Sequence, residues 1–215
     1  MVRKINIKER IKKVANREVH KIIIVGGEGK YQSERCYLKE LGKRYRLRIV
    51  FAEGNDTDPE KIVKNTISKV DEKVKEIKFD KDKELAVSVF DIDLKEEKEE
   101  QLAKAKKLAK KNNIELITSN PCFEVWYLLH FKYSTKPFKS SKEVVDELKK
   151  FDKYYKKGKC DFAIYEKEMD KAINNCKELD KHHRGKASER VKEFNNPQTE
   201  MYKLVEELIK EASVQ

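Results

Sequence analysis

The amino-acid sequence predicts an α/β protein in which a parallel sheet is flanked by helices and followed by a helical C-terminal extension. Two observations support this prediction. Apolar, β-branched segments alternate with segments of helical periodicity over roughly 100 residues, an order typical of parallel strands joined by right-handed helical crossovers. From Ser119 onward, strand signals give way to Lys- and Glu-rich segments with helical spacing.

The first strand is predicted over residues 21–27, Lys-Ile-Ile-Ile-Val-Gly-Gly, because a continuous β-branched run is typical of a strand buried on both faces. Residues 33–41 have helical spacing of apolar side chains. Gly42 is predicted to end this helix, since glycine readily adopts the left-handed conformation found at helix ends. A second, less buried strand is expected over residues 45–52.

Pro59 is predicted to open a long helix with Asp58 as its N-cap. A third strand is then predicted in the stretch 85–94, Leu-Ala-Val-Ser-Val-Phe-Asp-Ile-Asp-Leu, and ends at Asp91. The segments that complete the alternation are a charged amphipathic helix at 96–112 and a short strand at 114–118.

Residues 119–131 are the densest aromatic and apolar block and predict a buried helix that begins near Pro121. Further helices are predicted at about 141–151, 164–180, 186–194 and 198–212. We therefore divide the chain into a basic N-terminal arm (1–20), an α/β domain (21–131) and a helical extension packed on it (132–215).

Positive charge is concentrated at the start of the chain. Residues 1–50 contain 15 Lys and Arg against 5 Asp and Glu, whereas the remainder contains 35 against 34. A concentrated basic region favours polyphosphate partners, and Arg44 and Arg46 are the candidate contacts to nucleic acid. A solvated, lysine-rich surface is the alternative.

Acidic side chains follow two of the predicted strands. Glu28 comes after the first strand, and Asp91 and Asp93 end the third. Because the carboxyl ends of parallel strands lie at one edge of a sheet, the three should meet there, where carboxylate oxygens suit Mg²⁺ or Mn²⁺. Alternatively, the two aspartates only cap the following helix.

Three further residues are candidates for binding substrate at this edge: Lys30, Asn120 and Glu124. Lys30 lies in the glycine turn before a helix, where a phosphate group could bind. Asn120 and Glu124 lie where the fourth strand leads into the buried helix. The alternative for Glu124 is a favourable interaction with the helix dipole alone.

The histidines and cysteines give weaker signals. His130 is expected to be a core histidine, and His182 and His183 are expected in a polar loop, with phosphate contact as an alternative. The four cysteines form no Cys-x-x-Cys pair, and no apolar run is long enough to span a membrane. The sequence therefore predicts a soluble, cytoplasmic protein.

The ordered motifs resemble the RloB-like family, whose proteins have a TOPRIM-type catalytic domain. The resemblance rests on Gly-Glu-Gly at 27–29, Asp-x-Asp at 91–93, and Ser-Asn-Pro-Cys-Phe-Glu-x-Trp-x-Leu-Leu-His at 119–130. The chain departs from it at Gln32-Ser33-Glu34, where many relatives have Thr-Glu.

The resemblance implies a Rossmann-like TOPRIM fold in which Glu28, Asp91 and Asp93 act on phosphodiester bonds with a divalent metal. It also implies a role in bacterial antiphage defence, with an ABC-type ATPase as a possible partner. We therefore expect an Mg²⁺-dependent endonuclease acting on RNA or DNA. The alternative is a non-catalytic module that binds nucleic acid or the ATPase and senses infection.

Overall fold

The computed structural model describes residues 22–29, 32–77, 84–92, 98–185 and 195–213. Several predicted features lie outside these residues: the basic arm at 1–20, Lys30, Asp93 and the helix at 186–194. The described elements are, in order, β1 (Ile22–Gly26), α1 (Ser33–Tyr45), β2 (Arg48–Phe51), α2 (Pro59–Ile77), β3 (Leu85–Asp91), α3 (Lys98–Lys111), β4 (Glu115–Asn120), α4 (Glu124–Phe131), α5 (Ser141–Leu148), α6 (Phe162–Lys167), α7 (Met169–Gly185), β5 (Gln198–Thr199) and α8 (Met201–Ser213).

The strands form one sheet in the order β2-β1-β3-β4-β5. Strands β1 to β4 are parallel, and β5 pairs antiparallel with β4. The predicted α/β class with a parallel sheet flanked by helices is therefore confirmed. The direction in which successive strands are added reverses between β1 and β3, so this is the switch point of the sheet. In open α/β sheets, ligands bind in the crevice at the switch point, outside the carboxyl ends of the strands.

Both faces of the sheet are covered, as the continuous apolar runs predicted. In β1, Ile23 and Val25 pack into a cluster with residues of α1, α4, α7 and α8, whereas Ile22 and Ile24 pack against α2 and α3 on the other face. Alternation along a strand places successive side chains on opposite faces. The larger cluster also includes residues from 138 to 208, so buried contacts continue past the predicted boundary at residue 131.

Helix α2 begins as the sequence predicted. The Asp58 carboxylate accepts hydrogen bonds from the backbone N–H groups of Glu60 and Lys61, at 2.8 and 3.3 Å. These bonds satisfy two amides of the first helical turn that have no partner within the helix.

The predicted end of α1 at Gly42 is wrong. The helix continues to Tyr45, and Arg46 takes the left-handed conformation instead, with φ of 56°. Gly42 packs closely against β2, because a β-carbon there would lie 3.0 Å from Ile49 Cδ1. A glycine in a helical pattern can thus mark a close neighbour instead of a terminus.

Three other predictions for the second half need correction. Strand β4 extends to Asn120, two residues further than expected, because β5 pairs with it at Ser119 and Asn120. The two-residue strand β5 was not predicted. His182 and His183 lie in the last turn of α7, not in a loop, and His183 Nε2 hydrogen-bonds to the backbone oxygen of Pro197 at 2.8 Å.

His130 is a core histidine, as expected. It is fully buried, and its Nδ1 lies 2.8 Å from the backbone oxygen of Trp126. Burial lowers its pKa to about 4, so the ring is neutral at physiological pH. In the described part of the chain, no helix is both long and apolar enough to cross a membrane.

Candidate active site

Glu28 and Asp91 lie together at the switch point of the sheet. Glu28 follows β1 by two residues, and Asp91 is the last residue of β3. The backbone N–H of Asp91 donates a hydrogen bond to Glu28 Oε1 at 3.0 Å. The structure thus brings two of the three predicted acids to one edge, while Asp93 lies outside the described residues.

Glu34, which no sequence motif singles out, joins this edge from the first turn of α1. It is only 6% exposed, and its Oε1 atom has no hydrogen-bond partner. A β-carbon at Gly27 would lie 3.3 Å from this same oxygen. The glycine after β1 therefore allows the Glu34 carboxylate to approach the strand end.

Glu124 lies in the first turn of α4 and is 2% exposed. Its Oε1 accepts hydrogen bonds from Ser33 Oγ at 2.8 Å and from the hydroxyl of Tyr155. Ser33 Oγ and the Tyr155 hydroxyl also lie 2.8 Å apart, so the three side chains form a closed network. The buried carboxylate has the donors that it needs, which burial would otherwise make costly.

Burial and neighbouring negative charges raise the pKa values of Asp91 and Glu34. Burial raises the pKa of Asp91 well above its usual value, and the negative charges of Glu28, Glu124 and Glu34 raise it further. Burial likewise raises the pKa of Glu34 to about 7, with smaller contributions from Glu28 and Glu124. Like charges held close together in a poorly solvated place favour the protonated form, so the site favours an added proton or cation.

Lys157 supplies positive charge from the loop between α5 and α6. Partial burial lowers its pKa, but the attraction of Glu124, Asp91 and the other nearby carboxylates outweighs this effect and raises it. The ammonium group therefore stays charged beside the acids.

A cleft of about 530 Å³ opens at this edge. One side carries Glu28, Asp91 and Glu124, and the side formed by α5 and the following loop carries three lysines. Its lining residues are Glu28, Thr57, Asp91, Cys122, Glu124, Ser141, Lys142, Val145, Asp146, Lys149 and Lys157. Carboxylates with lysines beside them suit the binding of a phosphate group, because a cation can bridge the phosphate to the carboxylates.

The other predicted substrate-binding residues lie elsewhere or are already engaged. Asn120 is buried at the end of β4, where its Nδ2 donates to the backbone oxygen of Asn195 at 2.7 Å. Arg44 and Arg46 lie at the far end of α1, roughly 18 Å along the helix from Ser33 by helical rise. Arg44 also forms an ion pair with Glu166. The structure does not bring these three residues into the cleft.

The donor set fits Mg²⁺ or Mn²⁺, whose preferred ligands are oxygen atoms. Among the described residues, no group of three or more His, Cys, Asp and Glu side chains is arranged to hold a metal ion. Mg²⁺ is commonly bound through only one or two carboxylates plus water and substrate phosphates. Glu28 and Asp91 meet that smaller requirement.

Four residues of the site had not been selected from the sequence: Ser33, Glu34, Tyr155 and Lys157. A signal existed for Ser33 and Glu34, because they open the helix that follows the Glu28 turn and must lie near the same edge. Tyr155 and Lys157 have no such signal, since they are distant in sequence and belong to a lysine-rich segment.

Fold and site together define the class of protein. It is an α/β protein in which carboxylates and lysines lie together at the switch point of a parallel sheet. A family model described as RloB-like protein matches residues 22–208. The chain therefore belongs to the RloB-like family, as its motifs predicted. The comparison found no match among curated proteins and none among solved structures.

Proposed function

We propose that this protein is a metal-dependent nuclease that hydrolyses phosphodiester bonds at the cleft between β1 and β3. The single observation that carries the proposal is the hydrogen-bonded pair of Glu28 and Asp91 at the switch point, within a group of acids faced by Lys157. A TOPRIM-type domain, a role in antiphage defence and an ABC-type ATPase partner belong to the same proposal, and their support is the family resemblance.

Glu28 and Asp91 would hold the cation, with Asp93 as a further ligand. When bound, Mg²⁺ or Mn²⁺ supplies charge neutralisation at the phosphate and a more acidic water. Lys157, which lines the same cleft, would contact a phosphate oxygen and stabilise the negative charge that develops on it.

The remaining side chains have supporting roles. Glu34, with a pKa of about 7, can accept or release a proton near neutral pH, which suits general acid–base catalysis. Ser33 and Tyr155 fix the orientation of Glu124 through their hydrogen bonds. These bonds also connect the α/β region to the loop that carries Lys157.

A cleavage assay tests the proposal. Purified protein is incubated with plasmid, single-stranded DNA and total tRNA in Mg²⁺, in Mn²⁺ and in EDTA. We expect cleavage only with metal, and a loss of at least about a hundredfold in Asp91→Asn. The control is Asp170→Asn, an exposed aspartate on α7. Equal activity of wild type and Asp91→Asn in every condition would contradict the proposal.

The alternative is a non-catalytic module that binds nucleic acid or a partner ATPase. Such a module would bind nucleic acid equally well with Glu28→Gln and Asp91→Asn and would cleave none, so the same variants separate the two functions.

A further inference from the structure

One aromatic side chain in the loop that carries Lys157 is almost entirely in water. Tyr154 is 91% exposed, and among the described residues its ring has no aromatic partner. The residues on either side are anchored: Asp152 is 8% exposed and accepts a hydrogen bond from the Tyr165 hydroxyl at 2.7 Å, and Tyr155 is 6% exposed and bonds to Glu124.

Two hydrogen bonds anchor the backbone at Tyr154. Its N–H donates to Asp152 Oδ1 at 3.2 Å, and the N–H of Tyr155 donates to the backbone oxygen of Asp152 at 3.1 Å. Tyr155 bonds to Glu124 within the site, whereas the ring of Tyr154 lies in solvent. The loop thus displays an aromatic ring at a defined position, three residues from Lys157.

The segment that carries Tyr154, which we name the basic loop (residues 149–159), is strongly positive. It contains six lysines and one acid, the buried Asp152. Lys149 and Lys157 line the cleft, and Lys153 and Lys156 are exposed. In the described part of the chain, Lys149, Lys153 and Lys156 have no carboxylate at ion-pair distance, so their charges are available to an anionic ligand.

We infer that the basic loop binds an unpaired segment of nucleic acid, with Tyr154 stacking on a base and the lysines holding the phosphates of the strand that enters the cleft. This inference rests on the proposed function and names its substrate class. A ring can stack on a base face only where that base is not already stacked within a duplex. Lysines interleaved with an exposed aromatic ring are typical of single-strand binding surfaces. The chemistry suits RNA and DNA equally.

Binding without cleavage tests the inference. Fluorescence anisotropy is measured in EDTA on the full chain, with labelled 20-nucleotide oligouridylate, oligothymidylate and a duplex DNA of equal length. We expect both single strands to bind more tightly than the duplex. Tyr154→Ala should weaken single-strand binding about tenfold, as expected for the loss of one stacked base. Tyr154→Phe should retain it, and Tyr133→Ala, which removes another exposed tyrosine, should have no effect.

The lysines have a separate readout. The logarithm of the association constant should fall linearly with the logarithm of the salt concentration. Replacing Lys149, Lys153 and Lys156 together by Gln should make this negative slope shallower by about 2 to 3. The matched control replaces three exposed lysines of α3, Lys107, Lys110 and Lys111.

The inference is overturned if the duplex binds as tightly as the single strands, or if Tyr154→Ala and Tyr133→Ala behave alike. Failure of the proposed function would differ, because cleavage would be absent while single-strand binding and its dependence on Tyr154 persisted. A preference between oligouridylate and oligothymidylate would identify the nucleic acid that the loop accepts.

Discussion

The backbone N–H of Asp91 donates a hydrogen bond to the Glu28 carboxylate, which joins the ends of β3 and β1. The register of the two strands makes this contact possible, because Gly26 pairs with Ser88. Glu28 then lies two residues beyond Gly26, and Asp91 lies three residues beyond Ser88. The contact holds the Glu28 carboxylate beside Asp91 in the protein as it stands. Substitutions at the two acids therefore test this edge of the sheet directly.

Metal binding should stabilise the fold. We expect Mn²⁺ to raise the free energy of unfolding by about 2.7 kcal/mol at a hundredfold excess over its dissociation constant. EDTA should reverse the increase. Glu28→Gln and Asp91→Asn should each abolish it, whereas Asp170→Asn should not. Thermal unfolding with and without Mn²⁺ measures the effect, and an equal shift in all four proteins would count against a site at this pair.

Stability without metal should depend on pH through Glu34. Its pKa is about 7 in the folded protein and 4.5 ordinarily, so the folded state binds more protons between these values. The free energy of unfolding should therefore fall as pH rises from about 4.5 to about 7, and Asp91, whose pKa burial also raises, should add a decrease of the same sign. Glu34→Gln should remove the Glu34 contribution to this dependence, so that the variant is more stable than wild type by up to about 3 kcal/mol at pH 8.

Urea unfolding in EDTA across this pH range provides the measurement. Glu115→Gln serves as the control, because Glu115 is exposed on β4. A Glu34→Gln variant that kept the wild-type pH dependence would show that Glu34 does not hold its proton in the folded state.

Two adjacent tyrosines should respond differently to loss of the hydroxyl. Tyr155→Phe removes a donor from the buried Glu124 carboxylate and should cost about 1 to 3 kcal/mol. Tyr154→Phe removes a hydroxyl that is exposed to water, so the free energy of unfolding should not change. Urea titrations of both variants make the comparison, and equal midpoints would mean that the Tyr155 hydroxyl bond contributes nothing.

Gly26, the last residue of β1, should not tolerate a side chain. A β-carbon there would lie 2.0 Å from Thr66 Oγ1 of α2, which hydrogen-bonds to the backbone oxygen of Ile62 and to Ser88 Oγ. Gly26→Ala should cost about 1 to 3 kcal/mol. Adding Thr66→Ala should recover part of this loss, because the nearest obstructing atom is gone.

Gly42→Ala provides the comparison for this prediction. Its β-carbon would meet only the tip of the Ile49 side chain, so the variant should remain within about 1 kcal/mol of wild type. If Gly26→Ala were equally mild and showed no coupling to Thr66→Ala in urea unfolding, β1 and α2 would not be in such close contact.

The sequence was most informative where the pattern was local. The β-branched runs of β1 and β3 predicted strands buried on both faces, and Asp58 before Pro59 predicted the start of α2. The block from Ser119 to His130 predicted a buried helix and the family. Gly42 was misinterpreted because a local pattern does not show that β2 packs against the helix there.

The candidate site divides in the same way. By itself, the sequence determined that Glu28 and Asp91 follow parallel strands. Because the carboxyl ends of parallel strands lie at one edge of a sheet, both acids belong to that edge. Only the tertiary structure decided that β1 and β3 are neighbours and that Glu34 reaches the same edge. It also decided that Tyr155 and Lys157 return to this edge from a loop more than 120 residues after β1. The physical reason is that strand order and helix docking depend on packing between distant segments, and no periodicity within a single segment records that packing.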